Sequence, residues 1–557
     1  MKQFWTGTLL GGVALALVGT AINAGNRDEH QHRIQTFASK GDVVNAPFVG
    51  PENGVWTIDG LSGVGVMLEV QNDQVAIGIQ TYDAKTGDPL FLTSYGTLVH
   101  LSGAAHFEGD LFYSQDGSCL TCDFTEPNVD MLPGGTINIT FLSPVNALVS
   151  FFGSLGEHVV LPKGIAPSSM NRLLFGYSQH PAARFAGAWL VASDLSAGGA
   201  FVITQVFNIA QQGDSMVGCP LFSLATGECA PGNLESFVVD EAEEGDGFVG
   251  LHFKFGGFGF TMDKYQFAAA GARTTSLGEY ETIGFSNKGG DSSLPAMMVR
   301  VAAPGHFDNP TQVVSEPGAW AVAGLGGVGF ELDMQNGVAG LGAFTYEEDT
   351  GDPISYTAAV AFDDLGNIPL DLANGGSCLN CEPGTVTVIP GAGGTASLAL
   401  TSMDQGSVSF AAPIAGKGDA PVTHELERLY FNGPLDRLLG KWALISDRSE
   451  GGLFVGGLVV NFTEVIDGVV MGCRSKNLLD AECDMAYPVS ATAQSDGESG
   501  VIISVDSSFL TRDYSYGAVG VDQTSFGMAV DIDDPENPRL SRGIRLLSAS
   551  AMGVASQ

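Results

Sequence analysis

Residues 54–89 read GVWTIDGLSGVGVMLEVQNDQVAIGIQTYDAKTGDP, and residues 318–353 read GAWAVAGLGGVGFELDMQNGVAGLGAFTYEEDTGDP. The two align without a gap at an offset of 264 (318 − 54), and each opens on the phrase Gly-x-Trp. That phrase recurs at Gly187-Ala188-Trp189 and Gly440-Lys441-Trp442, so the tryptophans are spaced by 133, 131 and 122 residues (189 − 56, 320 − 189, 442 − 320). A period of this size is one small domain, and a repeat must be found before any motif is interpreted. The second and fourth units match each other through Arg184-x-x-Gly187-x-Trp189 and Arg437-x-x-Gly440-x-Trp442. The order is therefore A-B-A′-B′, a duplicated pair. The spacing predicts a signal peptide over 1–24, a polar linker over 25–46, and four units at 47–177, 178–305, 306–432 and 433–557.

Within the first unit, strand patterns follow one another at short intervals. Val55–Ile58, Gly65–Gln71, Val75–Tyr82, Pro89–Val99, Ala105–Tyr113, Gly135–Leu142, Ala147–Phe152 and His158–Leu161 are each expected to be strands. Alternation is clearest in Ile137-Asn138-Ile139-Thr140-Phe141, and Asn72-Asp73, Gly87-Asp88 and Gly134-Gly135 supply turns of hairpin type. No segment sustains helical periodicity. The expected fold class is all-β: four tandem antiparallel up-and-down barrels, with a compact sandwich as the alternative.

Near the end of each unit stands an arginine in an apolar, strand-like context. The pairs are Trp56 with Arg172, Trp189 with Arg300, Trp320 with Arg428 and Trp442 with Arg545. First and last strands are neighbours in a closed barrel, so a guanidinium there can lie over the indole and bond nearby carbonyls. These four pairs are the expected structural latches. The layout resembles the calycin-type barrels, the lipocalin and avidin-like group, in which an N-terminal Gly-x-Trp packs against a late arginine. The A units also resemble a proteobacterial exported repeat of unknown function, through Trp56, Gly63, Gly65, Leu68, Gln71, Thr81-Tyr82-Asp83, Pro89 and Phe91. The tryptophan that this family carries after the proline is replaced by Phe91 and Ile354. The resemblance implies a barrel fold and no established activity.

Residues 1–24 carry Lys2, an apolar run from Leu9 to Ala21 and small residues at Ala21 and Ala24, the pattern of a secretory signal peptide. The chain is therefore expected to be secreted or periplasmic, from a Gram-negative bacterium, and associated with the cell surface as one option. With 62 acidic and 24 basic residues, its net charge of −38 argues against nucleic-acid or anionic-membrane partners. Eight cysteines form two matching sets: Cys119-x-x-Cys122 with Cys219-x9-Cys229, and Cys378-x-x-Cys381 with Cys473-x9-Cys483. An even count in an exported chain favours local disulfides, each contributing about 2–3 kcal/mol by loop entropy. A zinc site shared between the Cys-x-x-Cys pairs and a redox role for them are the alternatives.

Catalytic motifs fail on inspection. Gly284-x-Ser286 lacks a second glycine, and Gly213-Asp214-Ser215 falls in a hairpin turn. His30-x-His32 lies in the polar linker, and His100, His106, His158 and His252 have no metal-ligand spacing. The acidic run Asp240–Asp246 and the turn at Asp531–Asp534 read as solvated hairpin tips rather than calcium loops. Tyr82 and Tyr346 are expected to face a core. No cofactor, metal site or catalytic residue is expected. The function expected is non-enzymatic binding or surface interaction, with a small apolar ligand or a cell-surface partner. The alternatives are a secreted hydrolase-like enzyme with a barrel-mouth pocket, and a structural or adhesive protein with solid barrels.

Overall fold

Strands of unit A run in meander order, each hydrogen-bonded to the next: Gly54–Ile58, Gly65–Gln71, Gln74–Tyr82, Pro89–Leu101, Ala104–Gln115, Asn128–Phe141, Asn146–Phe152 and Ser168–Arg172. The last pairs antiparallel with the first, which closes the barrel. The closing strand is Ser168–Arg172, which carries Arg172 as expected; the expected strand His158–Leu161 lies outside the described residues. In this computed structural model the described residues are 50–101, 104–153, 167–176, 185–194, 202–212, 215–229, 249–255, 261–267, 271–274, 278–283, 294–303, 306–308, 313, 315–379, 384–411, 421–447, 455–479, 481–494, 500–506, 511–524, 527–531, 534–549 and 551–552.

Alternation in sequence becomes alternation in burial. Along Ala104–Gln115, Ala105, Phe107 and Leu111 point into the barrel while Glu108 and Asp110 face out. Tight turns join the hairpins where a left-handed residue is tolerated, as at Asn336-Gly337 (φ 46° and 78°) and Asp467-Gly468 (φ 50° and 77°).

Unit B′ is a second closed barrel of eight strands, from Gly440–Ser446 to Asp534–Ser548, again sealed by pairing of first and last. Unit B is a seven-stranded antiparallel sheet with Gly187–Asp194 and Leu294–Ala302 side by side near its centre. Residues 230–248, between its two edge strands, lie outside the described residues. Unit A′ is a ten-stranded sheet that repeats the pairing of Gly318–Val322 with Val422–Arg428 and adds the short strands Ile368–Pro369, Asp371–Asn374 and Thr387–Ile389. The protein is all-β and multi-barrel; among the described residues closure is complete in A and B′.

Two strands are buried on both faces. Every residue of Gly187–Asp194 and of Gly440–Ser446 is buried. Trp189 and Val191 face inward, whereas Leu190 and Ala192 join one apolar cluster with Ala443, Ile445, Val459, Ile544 and Leu546 of B′. Units B and B′ are thus packed sheet against sheet through their outer faces.

Candidate functional site

Each Gly-x-Trp tryptophan lies directly across from its arginine: Trp56 from Arg172, Trp189 from Arg300, Trp320 from Arg428 and Trp442 from Arg545. What the guanidinium does there differs between the two kinds of unit. In B and B′ it covers the indole, with Arg300 Cζ 4.4 Å and Arg545 Cζ 5.1 Å from the ring centre. In A and A′ it reaches into the other A-type unit. Arg172 Nη2 lies 2.7 Å from Asp333 Oδ2, and Arg428 Nη2 lies 2.7 Å from both carboxylate oxygens of Glu69. The expected indole stacking is corrected for these two arginines, because a buried carboxylate is the stronger partner for a guanidinium that has lost water.

Glu69 and Asp333 occupy equivalent positions (69 + 264 = 333), so the two ion pairs are reciprocal. The glycine of each phrase makes room for them. Gly54 and Gly318 have φ of +117° and +141°, and a Cβ at Gly318 would overlap Glu69 Oε2 and the Arg428 guanidinium. At Gly54 it would stand 2.7 Å from Asp333 Oδ2. Gln71 donates to Leu429 O at 2.8 Å and accepts from Phe431 N at 2.9 Å; Gln335 does the same with Leu173 O and Phe175 N at 3.0 and 3.3 Å. The two glutamines match at the offset of 264 (335 − 71), and each grips the strand end of the opposite unit. Glu331, at the interface beside these pairs, is 3% exposed with Oε1 unpartnered. Burial, then the nearby Glu69 charge, holds its carboxyl well above the usual 4.5.

The Cys-x-x-Cys loops complete this joint. Cys119 and Cys122 are bonded to each other, and Leu120 between them sits in the core of A′ with Trp320, Phe330 and Leu332. Leu379 of A′ sits in the core of A with Trp56, Ile58 and Leu68. Each loop plugs the other barrel. The docking is mirrored in hydrogen bonds: Ser118 exchanges two at 3.0 Å with Gly326, and Ser377 exchanges two at 2.8 and 3.0 Å with Ser62. Tyr82 and Tyr346 are buried as expected, but at the joint rather than in a barrel core. Their rings lie where a Cβ would fall at Gly376 and Gly117 of the opposite loops, and Tyr346 Oη donates to Ser114 Oγ at 2.9 Å.

The longer cysteine loops join B to B′ at their outer faces, where Leu224 and Leu478 sit in the cluster the two units share. Cys219–Cys229 and Cys473–Cys483 are bonded. Asp447 accepts from Leu224 N at 2.6 Å in one loop, and Asp194 accepts from Leu478 N at 2.7 Å in the other. Within each half, a carboxylate ties A to B: Glu52 accepts from the N–H groups of Ala272, Arg273 and Thr274, and Glu316 from those of Val521, Asp522 and Gln523. Cys378 is disulfide-bonded, and its expected partner Cys381 lies outside the described residues. The one candidate group of metal donors among the described residues is Cys119, Cys122 and Glu348, and both of its sulfurs are engaged in the disulfide.

In A and B′ the inward side chains of the described strands pack into continuous apolar clusters. In A the inward residues of all eight strands form one cluster that includes Trp56, Ile77, Leu92, Phe107, Phe141, Val149 and Met170. In B′ the cluster holds Trp442, Phe462, Val489, Ile503, Tyr514 and Tyr516. His100 pairs with Asp73 at 3.2 Å and His106 with Thr140 Oγ1 at 3.2 Å, on opposite faces of one hairpin, so they do not combine. Asp531 is paired with Arg512 and Arg539, not arranged for calcium. His30, His32, His158, Asp214, Ser286 and the run 240–246 lie outside the described residues. Among the described residues no helix is long and apolar enough to cross a membrane.

No family model matches the chain, and no curated protein matches it. Among solved structures, a protein of unknown function from Dyadobacter fermentans aligns at 10% identity and a TM-score of 0.09, covering 69% of this chain and 98% of that one. Trypanosoma rangeli sialidase with the inhibitor DANA aligns at 8% identity and a TM-score of 0.09, covering 91% of this chain and 96% of that one. Likeness at this level carries no argument about fold or activity.

Proposed function

We propose that this is an exported, non-enzymatic protein that acts through its outer surface, as a structural or adhesive module of interlocked barrels. One observation carries the reading: inward apolar side chains pack as continuous clusters in A, A′ and B′, with a leucine from the partner unit added to each of the A-type cores. An eight-stranded barrel either fills its lumen or holds one small ligand, and the packed apolar clusters support the first course. Bonded cysteines suit an oxidising compartment, and the strongly acidic surface suits a solvated protein that meets cationic rather than anionic partners. The calycin-type resemblance then concerns architecture and not ligand carriage. Native mass spectrometry of protein purified from its host tests this. The reading expects a chain without a retained apolar small molecule, lighter than the reduced mass by eight hydrogens; a stoichiometric lipid or other apolar ligand would replace it with ligand carriage.

A further inference from the structure

The main contacts between the two halves of the chain come in reciprocal pairs. Arg172 reaches Asp333, and Arg428 reaches Glu69. Leu120 enters the core of A′, and Leu379 enters that of A. Asp194 accepts from Leu478 N, and Asp447 accepts from Leu224 N. A joint in which each side offers the same groups to the other is isologous, the form taken by two-fold homodimers. Each half therefore carries both members of these contacts. Two copies of the A–B half, residues 47–305, would set Arg172 of one against Glu69 of the other. Leu120 would enter the core around Trp56 that now receives Leu379, and Asp194 would meet Leu224 N.

One position breaks the equivalence. Met67 and Glu331 correspond (67 + 264 = 331), and both are buried. Met67 Cε lies 3.3 Å from the point a Cβ would take at Gly342 of A′, so the thioether closes the joint against a glycine. Glu331 stands beside that glycine in its own sheet, and its Oε1 is buried without a hydrogen-bond partner. The strands Gly65–Gln71 and Gly329–Gln335 bring three carboxyls, Glu69, Glu331 and Asp333, to a joint that holds two arginines, Arg172 and Arg428. Two A units would instead bring two carboxyls, both Glu69, to two copies of Arg172. Two A′ units would bring four to two copies of Arg428. Glu52 and Glu316 are equivalent (52 + 264 = 316), and each is held by three N–H groups of its own half, so they leave this difference unchanged. A buried carboxyl without a counter-charge is costly, so the excess falls most heavily on A′ paired with A′.

We infer that the joint is a homodimer interface enclosed within one chain. The A–B half binds a second copy of itself when freed from A′–B′. Glu331 is the specificity-determining residue that bars A′–B′ from doing the same, and so directs A onto A′. The test uses the whole chain with a specific protease site inserted between residues 309 and 312. The folded protein is cleaved, unfolded in urea with its disulfides intact, refolded by dilution and read by native mass spectrometry, which separates the halves by mass. The result expected is two kinds of pair, A–B with A′–B′ and A–B with A–B, with pairs of A′–B′ about tenfold rarer or absent. Glu331→Met should bring the pairs of A′–B′ level with those of A–B. Met67→Glu, the converse change, should remove the pairs of A–B and leave the mixed pair. Recovery of the mixed pair alone from the unsubstituted protein, or of halves that do not pair, overturns the inference. So do pairs of A′–B′ as abundant as those of A–B before any substitution, or no gain in them on Glu331→Met.

Discussion

Glu69→Gln removes one charge from the joint between A and A′ and leaves Arg428 buried. Arg428 Nη2 donates to both carboxylate oxygens at 2.7 Å, with side chains 2% and 0% exposed, so no solvent screens the loss. Breaking a buried pair by neutralising one partner costs about 3–5 kcal/mol. Glu331 moderates the figure. Burial first, and the Glu69 charge after it, raise its carboxyl, so removal of that charge makes the ionised form of Glu331 easier to reach beside Arg428. The expected cost at neutral pH is therefore about 3 kcal/mol for Glu69→Gln and about 5 kcal/mol for Glu69→Gln with Glu331→Gln. The excess of the double change over the sum of the singles is the signature of the shared site. Urea unfolding of the oxidised chain, followed by tryptophan fluorescence, measures all three. A cost under about 1 kcal/mol for Glu69→Gln is what a solvated surface pair shows, and it would refute the reasoning.

Three further changes separate the parts of the account. Gly318→Ala places a Cβ on the Glu69–Arg428 pair at a positive φ and should lower the melting temperature sharply, whereas Gly366→Ala, with open space around it, should leave it unchanged; scanning calorimetry compares them. Glu331 has a raised pKa in the folded state, so its contribution is fully present below 4.5 and is lost as pH rises toward the folded value; Glu331→Gln should flatten that decline in a pH series of unfolding free energies. Trp56→Ala should destabilise by about 3–5 kcal/mol through the cavity it leaves at a fully buried site, read by equilibrium unfolding in urea.

The repeat, the strand alternation and the position of each late arginine were legible because they are local patterns or fixed spacings. Trp56 and Arg172 face each other because first and last strands of a meander must meet when the sheet closes. The relation between units was not legible, since nothing in the period of a strand says what its outward face touches. Signals were nonetheless present. Glu69 and Asp333 stand at matching positions in strands whose other residues are apolar but for Glu331, Gln71 and Gln335, as a buried ion pair requires. Gly187–Asp194 and Gly440–Ser446 are apolar almost throughout, the mark of strands covered on both faces rather than one. Cys119-Leu120-Thr121-Cys122 and Cys378-Leu379-Asn380-Cys381 share a leucine that neither redox nor zinc chemistry needs. Its purpose is visible only when the loop is seen inside the neighbouring barrel.

The claim that the barrels plug one another is tested most directly by hydrogen exchange on Leu379→Ala, read by mass spectrometry peptide by peptide. Loss of three carbon groups at about 0.8 kcal/mol each, with a cavity term in a loop that its disulfide keeps from collapsing, gives about 3–4 kcal/mol. Because Leu379 lies in the core of A, the account predicts that strands between Gly54 and Arg172 lose protection, although the substitution is made in A′. Loss of protection confined to the strands of A′, with those of A unchanged, would contradict it.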